Sequence, residues 1–395
     1  MIVLFNWLLS ALLLLICLPV VVLLVQVLLA CLPVRLNAIS RAGRPRVAVL
    51  VPAHNESSVV VATLDSILPQ LQAGDRLLVV ADNCSDDSAA LARAAGAEVI
   101  ERNNQQQRGK GYALDFGVQH LASDAPEVMI IVDADCQVSE GAITHLASCC
   151  VESGRPTQAL YLMHAPSGAG LKVQIAEFAW QVKNLVRPAG WGRVGLPCQL
   201  MGSGMAFAWR DLVLIDLASG HIVEDLKMGL DFCRSGKSPL FCPEARVSSF
   251  FPRSDEGLST QRTRWEHGHL GVILSEAPKL LVESIRHRNW SLLAMTLDLL
   301  VPPLALLTLL AVASFAMTWL WFVLSGLWLP ALIASSAVAL LGATILLAWG
   351  RFGREVISFA TLLYAPFYAL KKIPLYVSFL FKRQVDWVRS KRDES

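Results

Sequence analysis

Hydrophobic positions fall into three regimes along the chain, and each regime predicts a different kind of element. Residues 2–32 are almost unbroken Leu, Val, Ile and Ala, with Asn6 and Gln26 the strongly polar members and no charge before Arg35. A run of that length crosses a hydrocarbon layer of about 30 Å as one helix, and it lacks the basic start of a secretory signal. Residues 292–349 are apolar again and long enough for two spans, with Trp319, Trp321 and Trp328 flanking Gly326 at the expected turn. Residues 356–381 are apolar but broken by Lys371, Lys372 and Pro374. That stretch reads as a further span or, preferably, as a pair of helices in the membrane interface.

Between residues 46 and 290 the pattern changes to short β-rich runs alternating with helices. Residues 47–51, 77–81, 98–100 and 128–132 read as strands, and the continuous apolar runs among them suit strands buried on both faces. Residues 59–72 and 88–95 read as helices, the first with Leu64, Ile67, Leu68 and Leu71 on one face. This alternation predicts an α/β fold with a mostly parallel sheet, whose ligands bind at the carboxyl ends of the strands. The expected organisation is an anchor at 1–34, an α/β domain at 46–268 and interfacial helices at 269–291. Two spans at 292–350 follow, then a membrane-interface or third-span segment with a basic tail at 351–395.

Composition supports a membrane setting: 54% of residues are hydrophobic and only 17% charged. Arg35, Arg41, Arg44 and Arg46 follow the first apolar run, and Arg351 and Arg354 follow the later ones. Positive flanks stay inside, so the central domain is expected in the cytoplasm, at a bacterial inner or plasma membrane, with the tail on its lipid surface. A net charge of +2 gives no broad basic surface for nucleic acid. The nine cysteines form no CxxC pair and no His/Cys ligand spacing, which predicts free thiols in a reducing compartment. Asp298 lies just inside the second apolar block, either as a functional group or as one that reaches headgroup water.

The candidate chemistry gathers at strand ends. The first strand ends in Pro52-Ala53-His54-Asn55-Glu56, the second in Asp82 with Asp86 and Asp87 beyond, and the fourth in Asp133-Ala134-Asp135. No GxGxxG follows the first strand, and Gly109-Lys110-Gly111 lacks the spacing of a Walker loop, which disfavours dinucleotide binding and ATP hydrolysis. Asp133 and Asp135 are expected to project to opposite sides, one to hold Mg2+ or Mn2+ and the other to orient hydroxyls, since hard cations favour oxygen ligands. A capped turn is the bland alternative. Asp82 suits ribose or base hydrogen bonds, while Asp86 and Asp87 suit helix capping. Arg108 and Lys110 form a basic loop that either contacts phosphates or is simply solvated.

Further on, the glycines of Gly202-Ser203-Gly204 allow a substrate close to the backbone. Glu224-Asp225 opens a helix at 226–234, where Asp225 is either a general base or an acidic residue favoured by the helix dipole. Gln261, Arg264 and Trp265 stand at i, i+3 and i+4 on one helical face. Arg264 can offset charge on a departing diphosphate, and Trp265 can give a sugar ring an apolar platform. His267 and His269 read as polar helix residues.

In this order, Val51-Pro52-Ala53-His54-Asn55-Glu56, Asp82, Asp133-Ala134-Asp135, Gly202-Ser203-Gly204, Glu224-Asp225 and Gln261-x-x-Arg264-Trp265 resemble family 2 glycosyltransferases of the GT-A fold. The membrane-integrated branch, with cellulose, hyaluronan and chitin-oligosaccharide synthases and ceramide glucosyltransferase, is the nearest likeness. The resemblance implies that Pro52, Glu56, Asp82, Lys110, Asp133, Gln261 and Arg264 hold the nucleotide sugar and that Asp135 is the metal ligand. It implies Asp225 as catalytic base, with Gly202, Ser203, Gly204, Glu224 and Trp265 bordering the acceptor. The implied activity is inverting transfer from a nucleoside diphosphate donor, UDP-hexose being the family default, to a lipid-linked or polysaccharide acceptor, with exopolysaccharide synthesis one setting it fits. The membrane region is shorter than in the processive synthases and lacks a match to the cellulose synthase gating segment, so single transfer stands beside polymerisation. A nucleotidyl or phosphosugar transferase and a non-catalytic membrane scaffold are the competing readings.

Overall fold

The computed structural model describes residues 1–33 and 44–381. Arg35, Arg41 and the basic tail lie outside the described residues. Eight strands form one sheet: β1 (Val47–Ala53), β2 (Arg76–Asp82), β3 (Glu98–Arg102), β4 (Val128–Ile131), β5 (Gln137–Val138), β6 (Thr157–His164), β7 (Met205–Ala208) and β8 (Leu240–Phe250). Their spatial order is β3-β2-β1-β4-β7-β6-β8-β5. The β3-β2-β1-β4 half is parallel, β7 is antiparallel to both its neighbours, and β6 and β8 are parallel again.

Strand alternation explains why the first half is so apolar. Val47, Val49 and Val51 of β1 face one core with the helices Val60–Ile67 and Ala142–Ser153. Ala48 and Leu50 face the other, with Lys110–Leu121 and Glu224–Arg234. Both faces are covered, so both sets of positions must be hydrophobic. In β8, Ala159 pairs with Cys242 but Leu160 with Arg246, so residues 243–245 bulge out of the ladder around Pro243.

Among the described residues, three helices are long and apolar enough to cross a membrane: Ile2–Ala30, Leu304–Ser325 and Leu329–Gly353. The second apolar block begins differently from the expectation. Trp290–Leu299 is a separate helix, and the span starts only at Leu304, after Pro302-Pro303 withdraws two backbone donors. Residues 269–291, expected as interfacial helices, mostly belong to one 32-residue helix, Asp255–Arg286, that starts at a Ser254 cap beside the site. Phe359–Leu370 and Ile373–Phe381 part at the Lys371-Lys372 break, and at about 1.5 Å per residue each is too short to cross alone.

The first apolar helix is docked rather than loose. It crosses the short helix Arg187–Arg193 at Gly190, where a Cβ would stand 2.0 Å from the Gln26 carbonyl oxygen. Beside that crossing Asp298 is buried. It accepts from Arg187 Nη2 at 2.8 Å, Gln26 Nε2 at 2.6 Å and Gln199 Nε2 at 2.6 Å. Asp298 therefore ties the anchor helix, the α/β domain and the helix Trp290–Leu299 together instead of reaching headgroup water.

Candidate active site

The carboxyl ends of β1, β2 and β4 open into a cleft of about 690 Å³. Each strand end turns sharply. Asn55 and Asn83 both adopt positive φ, 55° and 52°, a conformation Asn tolerates better than most side chains. His54 Nδ1 lies 2.7 Å from the Asp82 carbonyl oxygen, which clips the first two strand ends together. The Asp82 carboxylate is held by Arg102 at 2.7 Å and by the Asn83 amide at 3.0 Å, and it lines the cleft with Pro52 and Glu56.

Beyond β4 the loop carries Asp133, Ala134 and Asp135. The two carboxylates do not diverge: with Cys136 their ligand atoms all lie within 4.8 Å of one another. Asp135 lies in the turn after β4, closed by the Cys136 N–H to the Asp133 carbonyl at 3.1 Å, so the strand alternation behind the expectation of opposite sides no longer applies there. The loop is fixed from below, since the Thr63 hydroxyl donates to the Ala134 carbonyl at 2.8 Å and the Asp133 N–H donates to Ser203 Oγ at 3.0 Å. Burial, opposed by Lys110 and aided by Asp135, raises the Asp133 pKa. Burial also raises the Cys136 thiol well above its ordinary value, leaving a donor set of two carboxylates suited to a hard cation.

Lys110, at the start of its helix, pairs with Asp133, donates to the Gly202 carbonyl at 2.7 Å and lies 3.9 Å from Glu224. Burial works against its charge, but Asp133 and Glu224 hold the ammonium pKa above its usual value. Glu224 and Asp225 open the helix Glu224–Arg234, as expected. Asp225 Oδ1 accepts from the Leu226 N–H at 2.8 Å. A Cβ added at Gly202 would be 3.4 Å from Asp225 Oδ2, 3.7 Å from Lys110 Nζ and 3.8 Å from Asp133 Oδ2. Three predicted positions therefore meet around one glycine whose φ of +90° favours that residue type. Burial, then the Asp225 charge, push the Glu224 carboxyl up to about 7.

The opposite wall is aromatic. Trp265 packs against Trp180 with ring centres 4.8 Å apart and planes tilted by 38°, and Trp180 meets Tyr161 and Phe251 edge-on. Gln261 and Arg264 line the cleft beside Trp265, and the Gln261 Oε1 is buried without a hydrogen-bond partner. His269 also lines the cleft, but burial lowers its pKa to about 3 and its Nε2 sits 3.1 Å from the Leu299 carbonyl.

Two expected acceptor residues stand outside the cleft lining. Ser203 is fully buried, and its hydroxyl accepts the Asp133 N–H. Gly204 packs under Ala159 and Val247, at 2.7 and 2.8 Å from where its Cβ would be. Both shape the floor that positions the carboxylates. Sequence reasoning missed Tyr161, Trp180, Lys183, Asn184 and Phe251. The only trace of them was Trp180-x-x-Lys183, a spacing too common to single out.

The profile of the family described as "Glycosyltransferase like family 2" matches residues 45–268, more than half of the chain. The chain belongs to this family. A solved mannosyltransferase of Pyrobaculum calidifontis, PcManGT in complex with GDP-Man and Mn2+, shares the fold. Its TM-score is 0.58 at 14% identity, over 97% of this chain and 100% of that one. Among curated proteins, the probable glycosyltransferase YdaM of Bacillus subtilis is 24% identical over 58% of this chain and 56% of its own length. Glucosyl-3-phosphoglycerate synthase of Mycobacterium tuberculosis is 31% identical over 24% of this chain and 30% of its own length. The chain thus spans about half, or less, of these curated relatives. The glycosyltransferase has an α/β, GT-A-like fold with apolar helices, and its paired Asp133 and Asp135 fit Mg2+ or Mn2+.

Proposed function

We propose that this family 2 enzyme transfers a hexose from a nucleoside diphosphate donor, with inversion, to a lipid-linked or glycan acceptor at the cytosolic membrane face. The observation that carries this reading is the meeting of Asp133, Lys110 and Asp225 around Gly202, with Glu224 3.9 Å from Lys110, between an acidic, metal-competent end and an aromatic wall. A donor lying along the β1-β2-β4 end brings its nucleotide to Asp82 and its diphosphate toward Lys110, Gln261 and Arg264. Asp135 would hold a divalent cation, which would supply positive charge for the leaving diphosphate. Asp225, with Oδ1 held by a backbone N–H, presents Oδ2 to take the proton from an acceptor hydroxyl. The acceptor oxygen bonds to the anomeric carbon as the bond to the diphosphate breaks. Arg264 and Lys110 offset the charge that develops on the leaving group. Trp180 and Trp265 offer the acceptor sugar or its carrier an apolar face.

The domain division follows the same reading: an anchor at 1–34, a catalytic domain at 46–268, and membrane helices after it that keep the cleft near lipid. UDP is the first donor nucleotide to try. The test is to incubate detergent-purified full chain with UDP- and GDP-sugars and Mn2+, then identify the released product. Nucleoside diphosphate supports sugar transfer, whereas pyrophosphate supports the nucleotidyl transferase reading. The anomeric configuration of the product, read by NMR, decides inversion.

A further inference from the structure

Two lysines line the cleft, and one of them is spoken for. Lys110 pairs with Asp133, Arg102 with Asp82, and Arg187, beneath the floor, with Asp298. Lys183 has no carboxylate oxygen within 4.0 Å among the described residues, and its ammonium rests 5.6 Å from the centre of the Trp180 ring. It lines the cleft from a π-helical turn, Val182–Val186, inserted between the helices Leu171–Gln181 and Arg187–Arg193. Such turns widen a helix by one residue and recur where a side chain must be re-aimed at a functional site. The next residue, Asn184, is fully buried; its amide donates to the Tyr161 carbonyl at 3.1 Å, and its Oδ1 has no partner among the described residues.

A lysine held in this way is poorly solvated. Burial lowers its pKa, and Asp225 is the leading charge that opposes the shift. Desolvating an ammonium is unfavourable unless a counter-charge arrives. The position of Lys183 says which ligand can bring one. The donor end is built by β1, β2 and β4, across the cleft. Lys183 stands on the aromatic wall at the β6 side of the sheet, where its neighbour Asn184 bonds Tyr161, and next to the Arg187–Asp298 tie to the first apolar helix.

We propose that Lys183 forms an anion subsite on the acceptor side, receiving an oxyanion group of the acceptor, either the phosphate of a lipid carrier or the carboxylate of an acidic glycan. This rests on the transferase reading above, because it takes the Asp82–Asp135 end as the donor half. Trp180 flanks the ammonium, and the bound oxyanion would set the register of the acceptor against Asp225.

The experiment uses the detergent-purified full chain with its donor half saturated by Mn2+ and UDP or GDP, whichever binds. Phenyl phosphate, benzoate and neutral benzyl alcohol are the probes, measured by equilibrium dialysis on wild type, Lys183→Arg and Lys183→Met. At least one anion should bind wild type and Lys183→Arg, and bind Lys183→Met about ten- to a hundredfold more weakly, as expected for losing a charged hydrogen bond. Preference for phenyl phosphate assigns a phosphorylated carrier; preference for benzoate assigns an acidic glycan. The proposal is overturned if neither anion binds wild type that holds nucleotide, or if Lys183→Met binds the anions as wild type does. Should Lys183→Met lose nucleotide as well, wild type alone decides, because benzyl alcohol binding as tightly as the anions overturns the subsite. A wild type that binds no nucleoside diphosphate contradicts the transferase reading instead.

Discussion

Glu224→Gln has an effect whose size and sign the site dictates. The Glu224 side chain is 15% exposed, 3.9 Å from Lys110 and adjacent to Asp225. Burial, with the Asp225 charge behind it, moves its pKa from 4.5 to about 7. An acid shifted upward binds more protons folded than unfolded, so wild-type stability falls as pH rises through the window between those values. At about 1.4 kcal/mol per pKa unit, the full cost reaches about 3 kcal/mol once the group is ionised. Gln keeps the shape and removes the ionisation. The variant should therefore match wild type near about pH 4.5 and exceed it by up to about 3 kcal/mol near about pH 8. For a domain of this size that is a rise of about 6 °C in melting temperature. The assay is thermal unfolding of the detergent-solubilised full chain at both pH values, at one heating rate because unfolding of such proteins is often irreversible. An equal shift at both pH values, or a loss of stability near about pH 8, would refute the reasoning.

Other expectations test separate parts of the structure. Asp225→Asn should retain nucleotide affinity while transfer falls by about 10²-fold or more, measured as nucleoside diphosphate release with acceptor present; unchanged turnover would remove Asp225 from the base role. Gly190→Ala forces a methyl group onto the Gln26 carbonyl and should destabilise the docked anchor helix by about 1–3 kcal/mol, visible as faster proteolysis. Asp298→Ala leaves the buried Arg187 guanidinium without its counter-charge and should cost about 3–5 kcal/mol in chemical unfolding; Arg187→Met in the same background should recover part of that loss.

The parallel half of the sheet was legible because its strands carry their own signal. Val47 to Val51 must be apolar on both faces, and Asp82 and Asp133 mark where the two neighbouring strands end. The other half was not. The ladder of β8 is interrupted at Pro243, Glu244 and Ala245, which hide an eleven-residue strand behind a bulge. The donor-side residues could be placed because they sit at strand ends, whose position follows from the sheet. The aromatic wall could not, because Trp180 and Lys183 reach the cleft through a π turn that no hydrophobic period announces. Ser203 and Gly204 were read as acceptor contacts; only the packing shows that Ser203 supports Asp133 and that Gly204 packs against Ala159 of β6 and Val247 of β8. The expectation for Asp133 and Asp135 failed for a simpler reason: the strand ends at Ile131, and the turn beyond it brings the two carboxylates together.

The most direct test of the central claim is metal-dependent release of nucleoside diphosphate from a nucleotide sugar, compared between wild type and Asp135→Ala. The account predicts release with Mn2+ or Mg2+ in wild type, loss on chelation, and a fall of about 10²-fold or more in Asp135→Ala while the variant remains folded. Equal, metal-independent release by both proteins would contradict the assignment of this cleft as the transferase centre.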